Sequence, residues 1–349
     1  MLDIFYISRI LGLAAISFIV ALIWTPALIR FLKNYKLGKQ IRSSENTPIF
    51  TKYHQGKKGT LTCGGILIWG TVLILTLVFW ILGQILPETI FKELDFLTRK
   101  ETLLPLGALV ASALVGFGDD LMGVFKIGTN GGGLKMRHRI FVYTIIAVFG
   151  AWWFFYKLEW DLVHIPFVGD FNIGLWYIPL FVFILVATAF SVNETDGLDG
   201  LVGGILLVSF ACYGVIAFSQ GRMDLAAFCG VIIGALVAFL WFNIYPARFF
   251  MGDTGAMSLG ITLGIIAMLT NFFLLLPLIG FILVVESGSV IIQTISKKIF
   301  NKKVFLSTPI HHHFEAKGWH ETRITMRFWI INGVIAVIAL ILVFIEQVV

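Results

Sequence analysis

The chain has 349 residues, of which 58% are hydrophobic and only 13% are charged, and its formal net charge is +6. Because soluble globular proteins carry roughly 25% charged residues, this composition excludes an ordinary cytosolic enzyme, a nucleic-acid-binding protein and a disordered chain. It is typical of a polytopic membrane protein. The three cysteines lie in apolar runs without metal-ligand spacing, which indicates buried thiols and no disulfide framework.

Ten apolar segments follow one another along the chain, each long enough or nearly long enough to cross a bilayer. They cover residues 8–30, 61–85, 103–121, 139–156, 174–192, 201–218, 225–244, 256–271, 272–295 and 328–347. Because backbone groups in lipid must bond internally and the segments do not alternate like barrel strands, they predict helices. We therefore expect an all-α integral membrane protein with about ten transmembrane helices, forming a single domain over residues 1–349.

The basic residues collect on one side of this arrangement. Of the 26 Lys and Arg residues, 20 fall in the loops 30–60, 119–139, 191–200, 244–256 and 295–327. The positive-inside rule makes that side cytoplasmic and puts both termini outside. Aspartates, asparagines, histidines and glycines concentrate in the same loops, which predicts an active site on the cytoplasmic face.

Two adjacent carboxylates, Asp119 and Asp120, end the third span in the segment VGFGDDLMG. They repel each other and face the negative end of the helix dipole. A hard divalent cation is the natural compensation. The alternative is a solvated helix end that carries two aspartates by chance.

The segment SVNETDGLDGLVGG places Asn193, Asp196 and Asp199 at the start of the sixth span. A spacing of three puts them near one face if a helix begins there. Helix capping is the alternative, although one cap needs only one such side chain.

Glycines flank Asp253 just before the eighth span, which suits a phosphate or metal site at a helix N-terminus, or simple capping by Asp253. Nearby, Phe250 offers a ring that can stack on a base, and Asn243 ends the seventh span. Lys57 and Lys58 precede the second span, where they can equally be part of the positive-inside signal.

Three consecutive histidines, His311, His312 and His313, lie in the segment TPIHHHFEAKGWHETR. Three neighbours cannot all face one point on a helix, and zinc would favour other spacing and softer partners. We expect a loop that presents imidazoles to phosphate, with a plain surface loop as the alternative. Glu286 lies inside the ninth apolar run, where it is either functional or a structural hydrogen-bonding residue.

Carboxylates, basic residues and histidines at a lipid boundary suit magnesium-dependent phosphoryl transfer, in which charge neutralisation and positioning dominate. The residues therefore predict an enzyme that joins a soluble phosphate ester to a lipid. They name neither substrate.

At these residues the chain resembles the polyprenyl-phosphate N-acetylhexosamine-1-phosphate transferases. The resemblance rests on the segments GFGDDL, NETDGLDGL, FNIYPARFFMGDTGAMSLG and TPIHHHFEAKGWHETRITMRFWII, and it runs from about residue 39 to the C-terminus. The HHHFE segment is specific to the muramoyl-pentapeptide branch.

The resemblance implies transfer of phospho-MurNAc-pentapeptide from its UDP derivative to undecaprenyl phosphate, giving lipid I and UMP with Mg²⁺ as cofactor. It also implies a bacterial cytoplasmic-membrane protein, a homodimer and no nucleic-acid partner.

The resemblance further implies roles for individual residues. Asp253 would bind Mg²⁺ with Asp120 close to it, and Asp119 would position or deprotonate the lipid phosphate. The implied catalytic residues are Asp119, Asp120, Asp253 and His311. The implied substrate-binding residues are Lys57, Lys58, Asn193, Asp196, Asp199, Asn243, Phe250, His312 and His313, with Phe250 stacking on uracil.

Some positions depart from the family pattern. Leu61 and Cys63 replace a proline and a methionine, Phe190 replaces an asparagine, and Glu194 replaces an apolar residue. The alternatives are a sister transferase that uses UDP-GlcNAc, an inactive homologue, and a transporter. A transporter would more often place its polar groups near the membrane midplane.

Overall fold

The structure is a computed structural model that describes residues 2–38, 57, 59–128 and 132–348. Long helices dominate these residues: α1 (Leu2–Asn34), α2 (Ile66–Ile85), α4 (Leu103–Val124), α5 (Met136–Trp152), α6 (Tyr177–Thr195), α7 (Leu201–Ser219), α8 (Met223–Asn243), α9 (Gly252–Leu269), α11 (Phe281–Phe300) and α13 (Glu321–Val348). Shorter helices connect them: α3 (Ile90–Leu94), α10 (Leu276–Ile279) and α12 (Ile310–Ala316).

In the part of the chain that the structure describes, nine helices are long and apolar enough to cross a membrane, and one further pair of helices meets the same test jointly. The predicted membrane-helix architecture of about ten spans is therefore confirmed. The placement of both termini outside stays a prediction, as does the single domain over 1–349.

The ninth predicted span differs from a straight helix over 272–295. It is broken at Gly280 into Phe273–Ile279 and Phe281–Phe300, which meet at 86°. The break is stabilised from α13, because the Asn332 amide donates to Ile279 O and accepts from Ile282 N, both at 3.1 Å. One side chain thus satisfies backbone groups that the break removes from the helix.

A short β-hairpin interrupts the helical pattern between α5 and α6. Its strands β1 (Leu162–Ile165) and β2 (Gly169–Asn172) are antiparallel, with Leu162 opposite Asn172. A single turn of π-helix precedes it and a 3₁₀ turn follows it. The hairpin covers the helix ends that lie away from the candidate site.

The centre of the fold is α9, almost all of whose residues are buried. It packs chiefly against α4 and α6. Gly116 of α4 permits a close approach, because a Cβ there would lie 2.4 Å from the carbonyl oxygen of Asp253. This contact brings the end of α4, with its paired aspartates, against the beginning of α9.

Candidate active site

Four helices converge on one arginine. Arg139, in the first turn of α5, donates from Nη1 to Asn193 Oδ1 at 2.9 Å and from Nη2 to Asp253 Oδ2 at 2.8 Å. Its Nε lies 2.7 Å from Asp119 Oδ2. Asn193 in turn donates to the other oxygen of Asp253 at 2.7 Å. We call Asp119, Arg139, Asn193 and Asp253 the arginine cluster.

One carboxylate oxygen of Asp119 accepts no hydrogen bond from the described residues. Its Oδ1 accepts a hydrogen bond from Leu134 N at 2.6 Å. Its Oδ2 is buried and close to Arg139 Nε, yet this ion pair lacks hydrogen-bond geometry, and no other described residue donates to it. The oxygen therefore retains lone pairs for a cation or a proton.

Asp120 has a different role from its neighbour. Its two oxygens accept hydrogen bonds from Asp253 N and Thr254 N, both at 3.1 Å. It thus caps the N-terminus of α9, where free backbone N–H groups favour a carboxylate. Gly252 makes room for this cap, since it has φ +74° and a Cβ there would lie 2.5 Å from Asp120 Oδ2.

These contacts identify what compensates the paired aspartates in this structure. Arg139 faces Asp119, and the amino end of α9 faces Asp120. Among the residues described, no group of three or more His, Cys, Asp or Glu side chains is arranged as a metal site. The oxygen donors of Asp119, Asn193 and Asp253 nevertheless have the chemistry that a hard divalent cation prefers.

A second ion cluster lies at Lys57. Its Nζ contacts Asp199 Oδ1 at 2.6 Å and also pairs with Glu321 at the start of α13. Burial lowers the pKa of Lys57, but the charges of Glu321 and Asp199 outweigh burial, so that the pKa is raised overall. The ammonium lies 5.8 Å from the ring centroid of Phe250. We call Lys57, Asp199 and Glu321 the lysine cluster.

The predicted grouping of Asn193, Asp196 and Asp199 on one helix face is wrong. Asn193 belongs to the last turn of α6, which ends at Thr195, and α7 begins only at Leu201. The chain turns between them, so Asn193 joins the arginine cluster while Asp199 joins the lysine cluster. Asp196 lies half-buried at the C-terminal cap of α6.

Asn243 and Phe250 border the lysine cluster. The buried amide of Asn243 accepts from Gly200 N at 3.1 Å and donates to Phe249 O at 2.9 Å. It therefore ties three chain segments together. The ring of Phe250 is half-buried, which leaves part of it accessible for stacking.

The histidines do not form the predicted loop, because His311, His312 and His313 lie on the short helix α12. His311 and His312 are buried, and each of their imidazole rings is paired with a carboxylate. His311 Nδ1 lies 3.0 Å from Glu286 Oε2, and His312 Nδ1 lies 2.6 Å from Glu315 Oε2. His313 accepts a hydrogen bond from Leu306 N at 3.1 Å.

His311 is linked to the arginine cluster through the charge of Glu194. Glu194 interacts electrostatically with both Arg139 and His311. Burial lowers the pKa of His311, but the charge of Glu286 and its hydrogen bond outweigh burial and raise the pKa overall. Glu286 thus has a partner, as expected for an ionisable group in an apolar run.

The thiol of Cys63 is close to Asp120 and Asp253 but is not a nucleophile. It is fully buried, and burial together with the charge of Asp120 raises the pKa of its thiol far above the usual range. The thiol therefore stays protonated at neutral pH and is a poor metal ligand.

Sequence reasoning missed two members of the site. In the sequence Arg139 is one of four basic residues in the loop 119–139, and Glu321 is one of several acidic residues on the same side. The available signals are the position of Arg139 in the loop that follows the paired aspartates and the position of Glu321 in the segment TPIHHHFEAKGWHETR. Lys58 lies outside the described residues.

The chain was compared with known proteins. A family model described as Glycosyl transferase family 4 matches residues 102–271, a range that holds the whole arginine cluster. The chain is 40% identical over 346 residues to the phospho-N-acetylmuramoyl-pentapeptide-transferase of Chloroflexus aggregans, covering 95% of this chain and 89% of that protein.

Proteins of the same name from other bacteria are similarly close. Identity is 38% over 338 residues for Geobacillus sp. strain WCH70, covering 96% of this chain and 98% of the relative. It is 38% over 333 residues for Clostridium perfringens strain SM101, covering 95% and 96%.

Proposed function

The chain belongs to the phospho-N-acetylmuramoyl-pentapeptide-transferase family, and from this premise we propose that it transfers phospho-MurNAc-pentapeptide from the UDP derivative to undecaprenyl phosphate. The products are lipid I and UMP. The setting is peptidoglycan synthesis at the cytoplasmic face of a bacterial inner membrane. The homodimer implied by the resemblance stays a prediction.

The observation that carries this proposal is the arginine cluster. It links two carboxylates, an amide and a guanidinium through four contacts of 2.7 to 2.9 Å at the ends of four apolar helices. Phosphoryl transfer needs charge neutralisation and positioning more than covalent chemistry from the protein. A cluster of this kind, at the end of a membrane-spanning bundle, can meet a soluble phosphate ester and a lipid phosphate together.

A Mg²⁺ ion fits the donor set of this cluster. Asp119 Oδ2, which has no hydrogen bond from a described residue, and the carboxylate of Asp253 would hold it, with Asn193 Oδ1 nearby. Asp120 is less suited as a ligand, since both its oxygens accept from backbone N–H groups that are fixed at the amino end of α9, whereas Asp253 accepts only from the side chains of Arg139 and Asn193 among the described residues. Bound there, the ion would neutralise charge on the transferring phosphate.

The chain's own residues position the reaction. We assign direct attack, in which an oxygen of the lipid phosphate bonds to the sugar-bearing phosphorus and the bond from that phosphorus to the bridging oxygen breaks. UMP leaves with that oxygen. Asp119 accepts a proton from the lipid phosphate or orients it, and Arg139 stabilises charge on the phosphates. A phosphate oxygen is already an anionic nucleophile, so a covalent aspartyl intermediate has little to add.

The lysine cluster supplies a nucleotide site in this proposal. The Lys57 ammonium can bind a phosphate oxygen, and the accessible part of the Phe250 ring can stack on uracil. His311 is buried and pairs through Nδ1 with Glu286, and we assign its Nε2, which has no hydrogen-bond partner among the described residues, as a donor to a phosphate oxygen.

The test is UMP release by purified protein supplied with undecaprenyl phosphate and Mg²⁺. One arm contains UDP-MurNAc-pentapeptide and a parallel arm contains UDP-GlcNAc. We expect turnover only with the muramoyl donor and only when the lipid phosphate is present. Turnover with UDP-GlcNAc alone would assign the chain to the sister transferases, and lipid-independent UMP release would contradict transfer altogether.

A further inference from the structure

A cavity lies at the helix ends remote from the arginine cluster. It measures about 400 Å³, and its lining includes Trp160, His164, Gln220, Arg222, Asn271 and Glu346. The 19 residues of α7 separate its end near Gln220 from Asp199, which is about 28 Å of helix. The cavity therefore belongs to the opposite boundary of the membrane-spanning bundle.

Arg222 gives this cavity a cation with spare donors. Its guanidinium lies 5.0 Å from the ring centroid of Trp160, and its side chain makes no hydrogen bond with any residue that the structure describes. Burial lowers its pKa, with only Glu101 acting electrostatically in the other direction. A half-buried guanidinium with unmet donors is a strong site for a phosphate group.

Two buried acceptor atoms in the lining of the same cavity also lack partners among the described residues. They are Gln220 Oε1 and Glu346 Oε2. The other halves of both side chains are occupied, since Gln220 donates to Thr270 O at 2.7 Å and Glu346 Oε1 accepts from Phe167 N at 2.8 Å. Buried acceptors without donors cost free energy, so a ligand with N–H or O–H groups is favoured here.

The remaining charges in the cavity are already paired. His164 lies between Asp170 and Glu346, with ring nitrogens 2.7 and 2.8 Å from their oxygens. A simple anion would satisfy Arg222 and leave Glu346 Oε2 unpaired. A simple cation would do the reverse. A zwitterion with a phosphate at one end and an N–H donor at the other satisfies both.

Exposed apolar side chains surround the cavity and indicate where the ligand comes from. Phe167 and Val168 at the hairpin turn are 55% and 67% exposed, Trp176 is 77% exposed, and Ile345 next to Glu346 is 47% exposed. Aromatic and aliphatic groups at the end of a transmembrane bundle lie at the interface between lipid tails and headgroups. A membrane lipid can therefore place its headgroup in the cavity while its chains remain in the bilayer.

We propose that this cavity binds the phosphoethanolamine headgroup of a membrane phospholipid, with the phosphate on Arg222 and the ammonium on Glu346 and Gln220. The site does not depend on the transferase reaction, because it lies at the other end of the helices. Phosphatidylcholine is the matched control ligand. It has the same phosphate but carries no N–H group.

The experiment is native mass spectrometry of the full-length protein in detergent, titrated with the two lipids carrying identical acyl chains. Loss of one hydrogen bond between charged groups is worth roughly tenfold in affinity. We expect phosphatidylethanolamine to bind about tenfold more tightly than phosphatidylcholine. Glu346→Gln should abolish that preference, and Arg222→Gln should weaken both lipids by a similar factor.

Lys157→Gln is the control variant. Lys157 also lies over a tryptophan, 5.6 Å from the ring of Trp152, but it does not line the cavity, so its loss should change nothing. The thermal unfolding midpoint of each variant reports its fold. Equal binding of the two lipids by the wild-type protein would overturn the proposal without any variant.

A third arm separates a lipid from a soluble ligand. Free phosphoethanolamine should compete only at concentrations far above those of the lipid, because it lacks chains held by the bilayer. Full displacement at equal concentration would overturn the lipid assignment in favour of a soluble zwitterion.

Discussion

The arginine cluster and the lysine cluster each share one cation between two carboxylates, but they differ in what holds them. Arg139, Asp119 and Asp253 come from the ends of packed helices, and Asn193 adds a further hydrogen bond to the cluster. Lys57 instead reaches across from outside the helices to Asp199 and Glu321, beside the half-buried ring of Phe250.

This difference separates two tasks. A planar guanidinium with several fixed donors pre-organises a reacting centre, whereas a flexible ammonium can change partners when an anionic substrate arrives. We therefore interpret the arginine cluster as the place of phosphoryl transfer and the lysine cluster as a nucleotide-binding site.

Removing one carboxylate from the arginine cluster should have the largest effect. Asp119→Asn keeps the shape of the side chain but removes its charge and its ability to take a proton. We expect turnover to fall by about 10²- to 10³-fold, the scale for loss of one preorganised electrostatic group in an active site. UMP release at saturating substrates measures it.

Asp161→Asn is the matched control, since that half-buried side chain accepts from Asn172 on the hairpin, at the helix ends away from the candidate site. It should leave turnover unchanged. Equal losses in the two variants would show that Asp119 matters only through general charge or folding.

Arg139→Gln tests whether the guanidinium and a divalent cation use the same oxygens. Removing one partner of a buried ion pair costs about 3 kcal/mol of stability. Added Mg²⁺ should restore more of the thermal unfolding midpoint in this variant than in the wild type, because a ligand that binds only the folded state stabilises it. Identical Mg²⁺ responses in the two proteins would refute a shared site.

The lysine cluster should respond more weakly and in a different kinetic constant. If Lys57 binds the nucleotide as proposed, Lys57→Gln removes one charged hydrogen bond to it, and we expect KM for the UDP donor to rise roughly tenfold with a smaller change in kcat. Lys317→Gln, at an exposed position after α12, is the control. A large fall in kcat at unchanged KM would move Lys57 into the reacting centre.

A third pair, Glu286 with His311, sharpens the comparison because its cation is a titratable imidazole. The pKa of His311 is raised above the ordinary value of 6.5. The pair therefore stabilises the fold fully below pH 6.5, and this stabilisation is lost as the pH rises through the raised folded-state value. The gap in unfolding midpoint between wild type and His311→Gln should be largest at acid pH and shrink above pH 6.5. A gap that widens with pH would contradict the pairing.

Much of the architecture was readable from the sequence because apolar length alone predicts membrane helices. The bend at Gly280 was not predictable, since the amide that stabilises it belongs to Asn332, which is 50 residues after its partner Ile282. An apolar run of 24 residues has the same length and hydrophobicity whether its helix is straight or broken, so the sequence does not distinguish the two.

The site was only partly predictable for the same reason. The positions of Asp119, Asp120 and Asp253 at helix ends were correctly expected from their local sequence. Their partners come from elsewhere in the chain. His311 likewise pairs with Glu286, a carboxylate 25 residues earlier in the chain, and no local pattern reveals that contact.

The most direct test of the account compares wild type and Asp253→Asn in one assay that counts UMP and lipid-linked phospho-MurNAc-pentapeptide together. The account predicts equal amounts of both products from wild type, none after chelation of Mg²⁺, and at least about 10²-fold less of both from the folded variant. Comparable yields from Asp253→Asn would contradict the assignment of the arginine cluster as the reacting centre.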